Sequence, residues 1–138
     1  MFNNTTIERF KNTKTPFYYY DLAILRATLD DIKKHTKNYD HFNVHYAVKA
    51  NTNAEILSLI SSYGFGADCV SGNEIKRALE TGFKSDHIVF AGVGKSDEEI
   101  EIGLDNNIFG FNCESKQEIE VIDELVVKYH YNTTKEEE

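Results

Sequence analysis

A lysine stands at the end of an apolar run in the segment HYAVKAN, residues 45–51. Alternate residues of a strand share a face, so Lys49 lies on the same face as His45 and Ala47, and both faces are predicted to be sheltered. An ammonium group resists burial unless it is paired or gives up its proton. Three interpretations are open: Lys49 reaches solvent from the strand end, forms a buried ion pair, or acts as a reactive amine.

A carboxylate occupies a second apolar run, GADCV at residues 66–70. Asp68 must be paired or protonated there, because a buried charge without a partner is costly. It either hydrogen bonds to the backbone of a neighbouring loop or acts as an acid that faces the same strand-end cavity as Lys49. His45 shares a face with Lys49, but a single histidine in a strand is typical of a hydrogen-bonded core residue.

The segment GVGKS, residues 92–96, lies between a predicted strand and a predicted helix, as a phosphate-binding loop would. The full motif needs a glycine five residues before Gly94, where Val89 stands. The next predicted strand also carries Asn112 where a magnesium-binding aspartate would be needed. We therefore interpret GVGKS as a glycine-containing turn and not as a nucleotide site.

The composition is that of a globular protein, since 41% of the 138 residues are hydrophobic and 28% are charged. The net charge of -8, with lysines dispersed among acids, argues against nucleic acid or an anionic membrane as a partner. The N-terminus has no apolar signal-peptide core, and no run reaches the roughly 18 apolar residues of a membrane span, so we expect a cytoplasmic protein. Cys69 and Cys113 lack metal-ligand spacing and are predicted to be reduced core thiols.

Short strands and amphipathic helices alternate along the chain. The run FYYYD, residues 17–21, is typical of a short strand, and Asp21 is predicted to cap a helix. Four more strands are predicted at residues 42–50, 66–70, 87–92 and 109–113, each followed by an amphipathic segment. The end of the sequence is polar and has no apolar periodicity, which indicates a solvated tail over residues 130–138.

Helix boundaries are marked by repeated local signals. A serine followed three residues later by a glutamate predicts a capping box at three helix starts: Ser71 with Glu74, Ser96 with Glu99, and Ser115 with Glu118. Gly64 and Gly82 mark helix ends. Successive βα units imply a parallel sheet whose strand ends form the functional edge, in a doubly wound sheet or in half of an eight-unit barrel. A barrel needs about 250 residues, so the chain would then be incomplete.

Five blocks of sequence between residues 15 and 125 carry a family resemblance: TPFYYYD, HYAVKANTN, GFGADCVSGNEIKRALETG, IVFAGVGKSDEEIEIGL and FGFNCESKQEIEVIDEL. In this order and at these separations they resemble the N-terminal part of the diaminopimelate decarboxylases, pyridoxal 5'-phosphate (PLP) enzymes of the alanine-racemase-like barrel group. Ornithine and arginine decarboxylases share the YAVK and DC-S elements more loosely. Asn73 replaces a glycine that many relatives carry, in a helix first turn where the change should matter little.

The resemblance implies an α/β fold, the N-terminal half of a PLP-binding (β/α)8 TIM barrel with about four βα units over residues 21–129. Residues 1–20 would contribute a strand to a β-domain that lies, with the phosphate-binding loop, beyond residue 138. Lys49 matches the family lysine that forms a Schiff base with PLP, and Asp68 matches an acidic position near the cofactor. An amine condenses with an aldehyde only when unprotonated, so the pKa of such a lysine, ordinarily about 10.4, must be lowered by desolvation.

The activity that the resemblance implies is decarboxylation of meso-2,6-diaminopimelate to L-lysine, in lysine biosynthesis, by a homodimer. One alternative is another PLP-dependent amino-acid decarboxylase or racemase of the same fold, of the ornithine or arginine type. Another is a PLP-binding homologue without catalysis. We expect the 138 residues alone to be inactive, because half a barrel leaves an open sheet edge and lacks the residues that a second subunit contributes.

Overall fold

The computed structural model describes the backbone of residues 2–136 and the side chains of residues 2–128. Two helices come first, and four βα units follow them. The helices are α1 (Asn4–Lys11), α2 (Leu22–Thr36), α3 (Ala54–Ser62), α4 (Gly72–Glu80), α5 (Asp97–Asp105) and α6 (Lys116–Glu136). The strands are β1 (His45–Ala47), β2 (Gly66–Cys69), β3 (Ile88–Phe90) and β4 (Gly110–Phe111).

The four strands form one parallel sheet in the order β1-β2-β3-β4. Spatial order therefore follows sequence order, without the reversal at which a doubly wound sheet places its ligand. Each strand is joined to the next by one helix, as in a barrel. The structure thus favours the barrel among the two architectures left open by the sequence, and the predicted α/β half-barrel of about four units is confirmed.

The core lies between the sheet and the helices. Alternate strand residues face the helices and are fully buried, among them Ala67, Cys69, Ile88 and Phe90, and Val48 just after β1 is fully buried as well. The helices cover them with a matching set of buried aliphatic residues, Leu57, Ile60, Ile75, Ala78 and Ile100. Full burial of each large apolar side chain stabilises the fold by about 1.5–3 kcal/mol. This face holds the sheet in place and leaves the opposite face for polar residues.

The three predicted capping serines begin their helices, but only one of the three predicted capping boxes is complete. Ser96 and Glu99 form a complete capping box. At the other two starts the serine hydroxyl accepts from the glutamate N–H, but the carboxylate accepts from the N–H just before the serine, Val70 for Glu74 and Glu114 for Glu118. Glu99 also accepts from Gly72 N at 2.9 Å, and these backbone bonds lower the pKa of Glu99. The caps therefore join neighbouring units as well as starting helices.

Helix ends follow the glycine signal. Gly64 and Gly82 have φ values of +80° and +94°, the left-handed region that residues with a side chain rarely adopt. Both predicted helix stops are confirmed.

The predicted strand over FYYYD is wrong, because residues 17–20 have no regular structure. A strand needs a hydrogen-bonded neighbour, and no strand among the described residues lies beside this segment. Its rings instead pack on α1, with Phe10 lying 5.4 Å from Phe17 and 5.1 Å from Tyr19 between ring centroids. Asp21 caps α2 as predicted, since its carboxylate accepts from Ala23 N at 2.9 Å. That residues 1–20 belong to another domain stays a prediction.

The C-terminal segment is helical where the sequence indicated a tail. The backbone of α6 continues to Glu136, so no loop begins at residue 130. Whether the side chains of the predicted tail, residues 130–138, are solvated lies outside the described part of the chain, as do residues 137–138 altogether. Within residues 2–136, no helix combines the length and apolar character needed to cross a membrane.

Candidate functional site

The candidate site lies at the carboxyl ends of the strands, where Lys49 follows β1. The sequence predicts a strand over residues 42–50, but the observed strand β1 is only three residues long and ends at Ala47. The chain then turns through a short 3-10 helix, Val48–Ala50, closed by a bond from Asn51 N to the Val48 carbonyl at 3.1 Å. Val48 is fully buried and anchors this turn in the core. Lys49 is therefore fixed to the sheet edge by its immediate neighbour.

Lys49 is exposed, which corrects the prediction that its strand end is sheltered. The cause is its position, because β1 is an edge strand of the described sheet and the 3-10 turn carries Lys49 past the last paired residue. Among the residues that the structure describes, Lys49 has no hydrogen-bond or ion-pair partner. The buried ion pair is thus excluded within this part of the chain, and Lys49 presents an uncommitted amine.

Asp68 lies on the neighbouring strand, in register with Ala47 of β1 and Val89 of β3. Its Oδ1 atom is buried and has no hydrogen-bond partner among the described residues. The interpretation of Asp68 as a residue that bonds to loop backbone is therefore wrong for this oxygen. An unsatisfied buried carboxylate oxygen is costly, and one in a folded protein calls for a partner, such as a water, an ion or a ligand. Asp68 offers an acceptor for a group that the described residues do not supply.

His45 and Asp68 share the face of the sheet opposite the helices. The negative charge of Asp68 acts to raise the pKa of His45, but burial, the largest effect, and the nearby His87 lower it overall. The imidazole packs on Gly66 so closely that a Cβ there would lie 2.3 Å from His45 Cδ2 and 2.4 Å from the His87 carbonyl oxygen. Gly66 is thus required for the fit of His45. The histidine is half-buried, so the prediction of a core residue is only partly correct.

The GVGKS segment forms a turn whose lysine is already occupied. Gly92 and Gly94 have φ values of +96° and +80°, which confirms the glycine-containing turn. The Lys95 side chain is only 1% exposed, and its Nζ lies 2.5 Å from Glu118 Oε1. The same nitrogen donates to the carbonyl oxygens of Gly92 at 2.8 Å and Asn112 at 3.0 Å. A lysine so enclosed cannot receive a phosphate, so the rejection of a nucleotide site is supported.

Sequence reasoning missed the pair that Lys95 forms with Glu118. The two residues are 23 positions apart, and the sequence indicates only a capping box for Glu118. Lys95 is the main cause of the lowered pKa of Glu118, with the Glu114 N–H next. The only local signal was a lysine inside a glycine-containing strand-to-helix turn.

The two cysteines differ. Cys69 is a buried core thiol as predicted, and burial raises its pKa to about 12. Cys113 is exposed, so the prediction of a core thiol is wrong there, because β4 ends at Phe111 and the chain leaves the sheet. Both are free thiols, and the described side chains include no group of three or more histidine, cysteine or acidic residues placed to hold a metal.

Comparison with known proteins identifies the domain type. Residues 25–132 match the family model described as pyridoxal-dependent decarboxylase, pyridoxal binding domain. A diaminopimelate decarboxylase from Bacteroides thetaiotaomicron is 54% identical over 119 residues, which cover 86% of this chain and 31% of that protein. The sequence resemblance to this group is thereby confirmed.

Solved structures agree with the sequence match. Diaminopimelate decarboxylase from Helicobacter pylori, complexed with L-lysine, has a TM-score of 0.74 and 44% identity, covering 91% of this chain and 32% of that one. The enzyme from M. jannaschii, in co-complex with L-lysine, has a TM-score of 0.86 and 33% identity, covering 91% and 30%. The chain therefore spans about a third of the length of these relatives. With its four βα units and its matching residues 25–132, the chain belongs to the pyridoxal-dependent decarboxylase family, within the pyridoxal-binding barrel domain.

Proposed function

We propose that this chain is part of a diaminopimelate decarboxylase, which converts meso-2,6-diaminopimelate to L-lysine and carbon dioxide. The observation that carries the proposal is the uncommitted Lys49 amine at the end of β1, inside the segment HYAVKAN. Support comes from the relatives of that name and from their structures with L-lysine.

The residues present fit the cofactor that the family name implies. Lys49 offers an amine that no described residue holds, which is what attachment to the aldehyde of PLP requires. Asp68 offers a buried carboxylate oxygen without a donor on the adjacent strand. When bound, the cofactor supplies an electron sink for the carbanion that decarboxylation leaves. Lys49 and Asp68 are therefore the proposed catalytic residues of this chain, and Lys49 is the proposed cofactor-binding residue.

The roles of these two side chains follow from their positions. Lys49 would hold the cofactor through its amine, and the same amine, when free at the strand end, would hold or move a proton. Asp68 Oδ1, which has no donor among the described residues, would accept a hydrogen bond from a group bound at this edge of the sheet. The bond that breaks joins the substrate α-carbon to its carboxylate, and a proton takes the place of the carbon dioxide.

One experiment distinguishes the proposal from its two alternatives, a decarboxylase for another amino acid and a homologue without catalysis. A chimaera is made in which the matching 119 residues of this chain replace their counterparts in the Bacteroides thetaiotaomicron relative. The chimaera and the unchanged relative are then assayed for carbon dioxide release from meso-diaminopimelate, ornithine and arginine. We expect L-lysine from meso-diaminopimelate in both proteins and no turnover of the other two substrates.

Other outcomes would overturn the proposal. Turnover of ornithine or arginine by the chimaera alone would show that this segment belongs to a decarboxylase for another amino acid. A folded chimaera that binds PLP without releasing carbon dioxide would show a non-catalytic homologue. Sedimentation of the same sample tests the homodimer, which we propose as the assembly of the complete enzyme.

A further inference from the structure

Lys95 is the most deeply buried ammonium group among the described side chains, with 1% of its side chain exposed. An ammonium group carries three hydrogens, and three oxygen atoms lie within 3.0 Å of Lys95 Nζ. Its nitrogen also lies 5.4 Å from the centroid of the Phe90 ring. All of its hydrogen-bonding capacity is used inside the protein.

The three oxygens belong to three different segments. Gly92 follows β3, Asn112 follows β4, and Glu118 lies in the first turn of α6. Glu118 uses its second oxygen to accept from Glu114 N at 2.7 Å, within the loop between β4 and α6. One lysine therefore connects the carboxyl ends of two neighbouring strands and the start of the helix that follows them.

This connection lies at the same sheet edge as the proposed catalytic residues. β3 is paired with β2, and Ala91 N donates to the carbonyl of Cys69, next to Asp68, at 2.8 Å. Moving the end of β3 would therefore disturb the strand end that holds Asp68. The loop containing Lys95 lies beside it at the same edge, and we call these strand-end loops the rim.

A buried ion pair is weak support for stability, since well-packed apolar residues of similar volume often replace it without loss. Its other use is to fix one arrangement of the segments it connects. A second ion pair, between Lys128 of α6 and Glu101 of α5, has a distance of 3.4 Å between its charged atoms. Its side chains are 65% and 45% exposed. Exposed pairs contribute little, so the second pair is a matched control for the first.

We propose that Lys95 is a positioning residue, which fixes the strand-end loops after β3 and β4 to each other and so shapes the rim that receives the cofactor beside Asp68. The inference rests on the proposed function, because it assigns the rim to a cofactor site. It gives a role to a lysine whose amine is used entirely by protein oxygen atoms.

The test uses the chimaera and three variants of it: Lys95→Met, Lys95→Met with Glu118→Leu, and the control Lys128→Met with Glu101→Leu. Amide hydrogen exchange is measured without cofactor over residues 91–96 and 111–115. Thermal unfolding, the Kd for PLP, and kcat and KM for meso-diaminopimelate are measured on the same proteins.

We expect Lys95→Met to speed exchange in both segments by about tenfold and to weaken PLP binding by about tenfold to a hundredfold. The double apolar variant should regain part of the thermal stability, because no carboxylate is left unpaired. Its exchange should stay fast and its PLP binding weak, because the carbonyls of Gly92 and Asn112 still lack their donor. The variant of the exposed control pair should leave all of these measurements unchanged. If Lys95→Met does not fold, the double variant alone decides.

The positioning role is overturned if the double variant recovers PLP affinity along with stability, since Lys95 would then be purely structural. It is equally overturned if Lys95→Met leaves exchange and affinity unchanged. Failure of the proposed function looks different, because the unsubstituted chimaera would then fail to bind PLP or to turn over substrate. In that case the exchange rates still show whether Lys95 fixes the two loops.

Discussion

Two lysines follow strands at the same edge of the sheet, and their surroundings are opposite. Lys49 follows β1, is exposed, and has no partner among the described residues. Lys95 follows β3, is 1% exposed, and donates to three oxygen atoms. The difference shows which amine is available for covalent chemistry, because the Lys95 amine is enclosed by a carboxylate and two carbonyls while the Lys49 amine has no partner among the described residues.

Neighbouring residues create this difference. Val48 is buried in the core and fixes the turn after β1, and the side chain of the next residue, Lys49, is exposed to solvent. The loop after β3 contains Gly92 and Gly94, both with positive φ, so the chain folds back and brings Lys95 over the end of β4. The segment that looks more like a ligand loop in the sequence is thus the one whose lysine is unavailable.

The largest expected effect separates the two lysines by activity. Lys49→Ala in the chimaera should lower kcat for meso-diaminopimelate by about 10²–10⁴-fold, as expected when a positioned catalytic group is removed. Unfolding should be unchanged, because Lys49 contacts no described partner. Lys76→Ala, on an exposed position of α4, is the control and should keep full activity. Carbon dioxide release measures both, and near-normal turnover by the Lys49 variant would contradict its role.

Much of the fold follows from local signals in the sequence. The serine caps at residues 71, 96 and 115 and the glycine stops at residues 64 and 82 depend on nearby residues alone, so they are predictable. The strand predicted at residues 17–21 fails because a strand depends on a partner that no local pattern reveals.

The candidate site was predictable only in part, for the same reason. The alternation of residues 45–49 predicted His45 and Lys49 on one face of a strand, but the strand ends at Ala47 and Lys49 lies in the turn after it. The exposure of Lys49 depends on where β1 lies in the sheet. The orphan oxygen of Asp68 depends on the neighbours of β2 on both sides. The pair of Lys95 and Glu118 joins residues 23 positions apart, which no spacing rule identifies.

The second effect separates the lysines by stability. Lys95→Met leaves Glu118 and two carbonyl oxygens without their donor, and it should cost about 3–5 kcal/mol in the free energy of unfolding. Lys49→Met should change that free energy by no more than about 0.5 kcal/mol, because its side chain is exposed. Urea denaturation measures both variants. Equal costs for the two substitutions would remove the distinction drawn between them.

A third effect is a dependence of the unfolding free energy on acidic pH, through Glu118, the partner of Lys95. The pKa of Glu118 is lowered from 4.5, chiefly by Lys95, so the unfolded chain binds the proton first as the pH falls. Its contribution to stability is present above pH 4.5 and is lost as the pH falls through the folded pKa. Glu118→Gln should flatten this part of the curve of unfolding free energy against pH. An unchanged slope in that variant would show that Glu118 is not the group responsible.

The smallest expected effect concerns the β1 side, through His45. Burial, the largest cause, lowers the pKa of His45 below 6.5, so the folded state favours the neutral imidazole. The stability that this provides is present above pH 6.5 and is lost as the pH falls through the folded pKa. His45→Phe should weaken the pH dependence just below pH 6.5 and leave the Glu118 region as it was. Nuclear magnetic resonance titration of the imidazole provides the direct check, and a pKa at or above 6.5 would refute the assignment.

The most direct test of the central claim identifies the lysine that carries the cofactor. The chimaera is incubated with PLP, reduced with borohydride, digested, and its peptides are analysed by mass spectrometry. The structure predicts a pyridoxyl group on Lys49, in the peptide containing HYAVKAN, with Lys95 unmodified because its amine is enclosed. A pyridoxyl group on Lys95 or any other lysine, with Lys49 unlabelled, would contradict it.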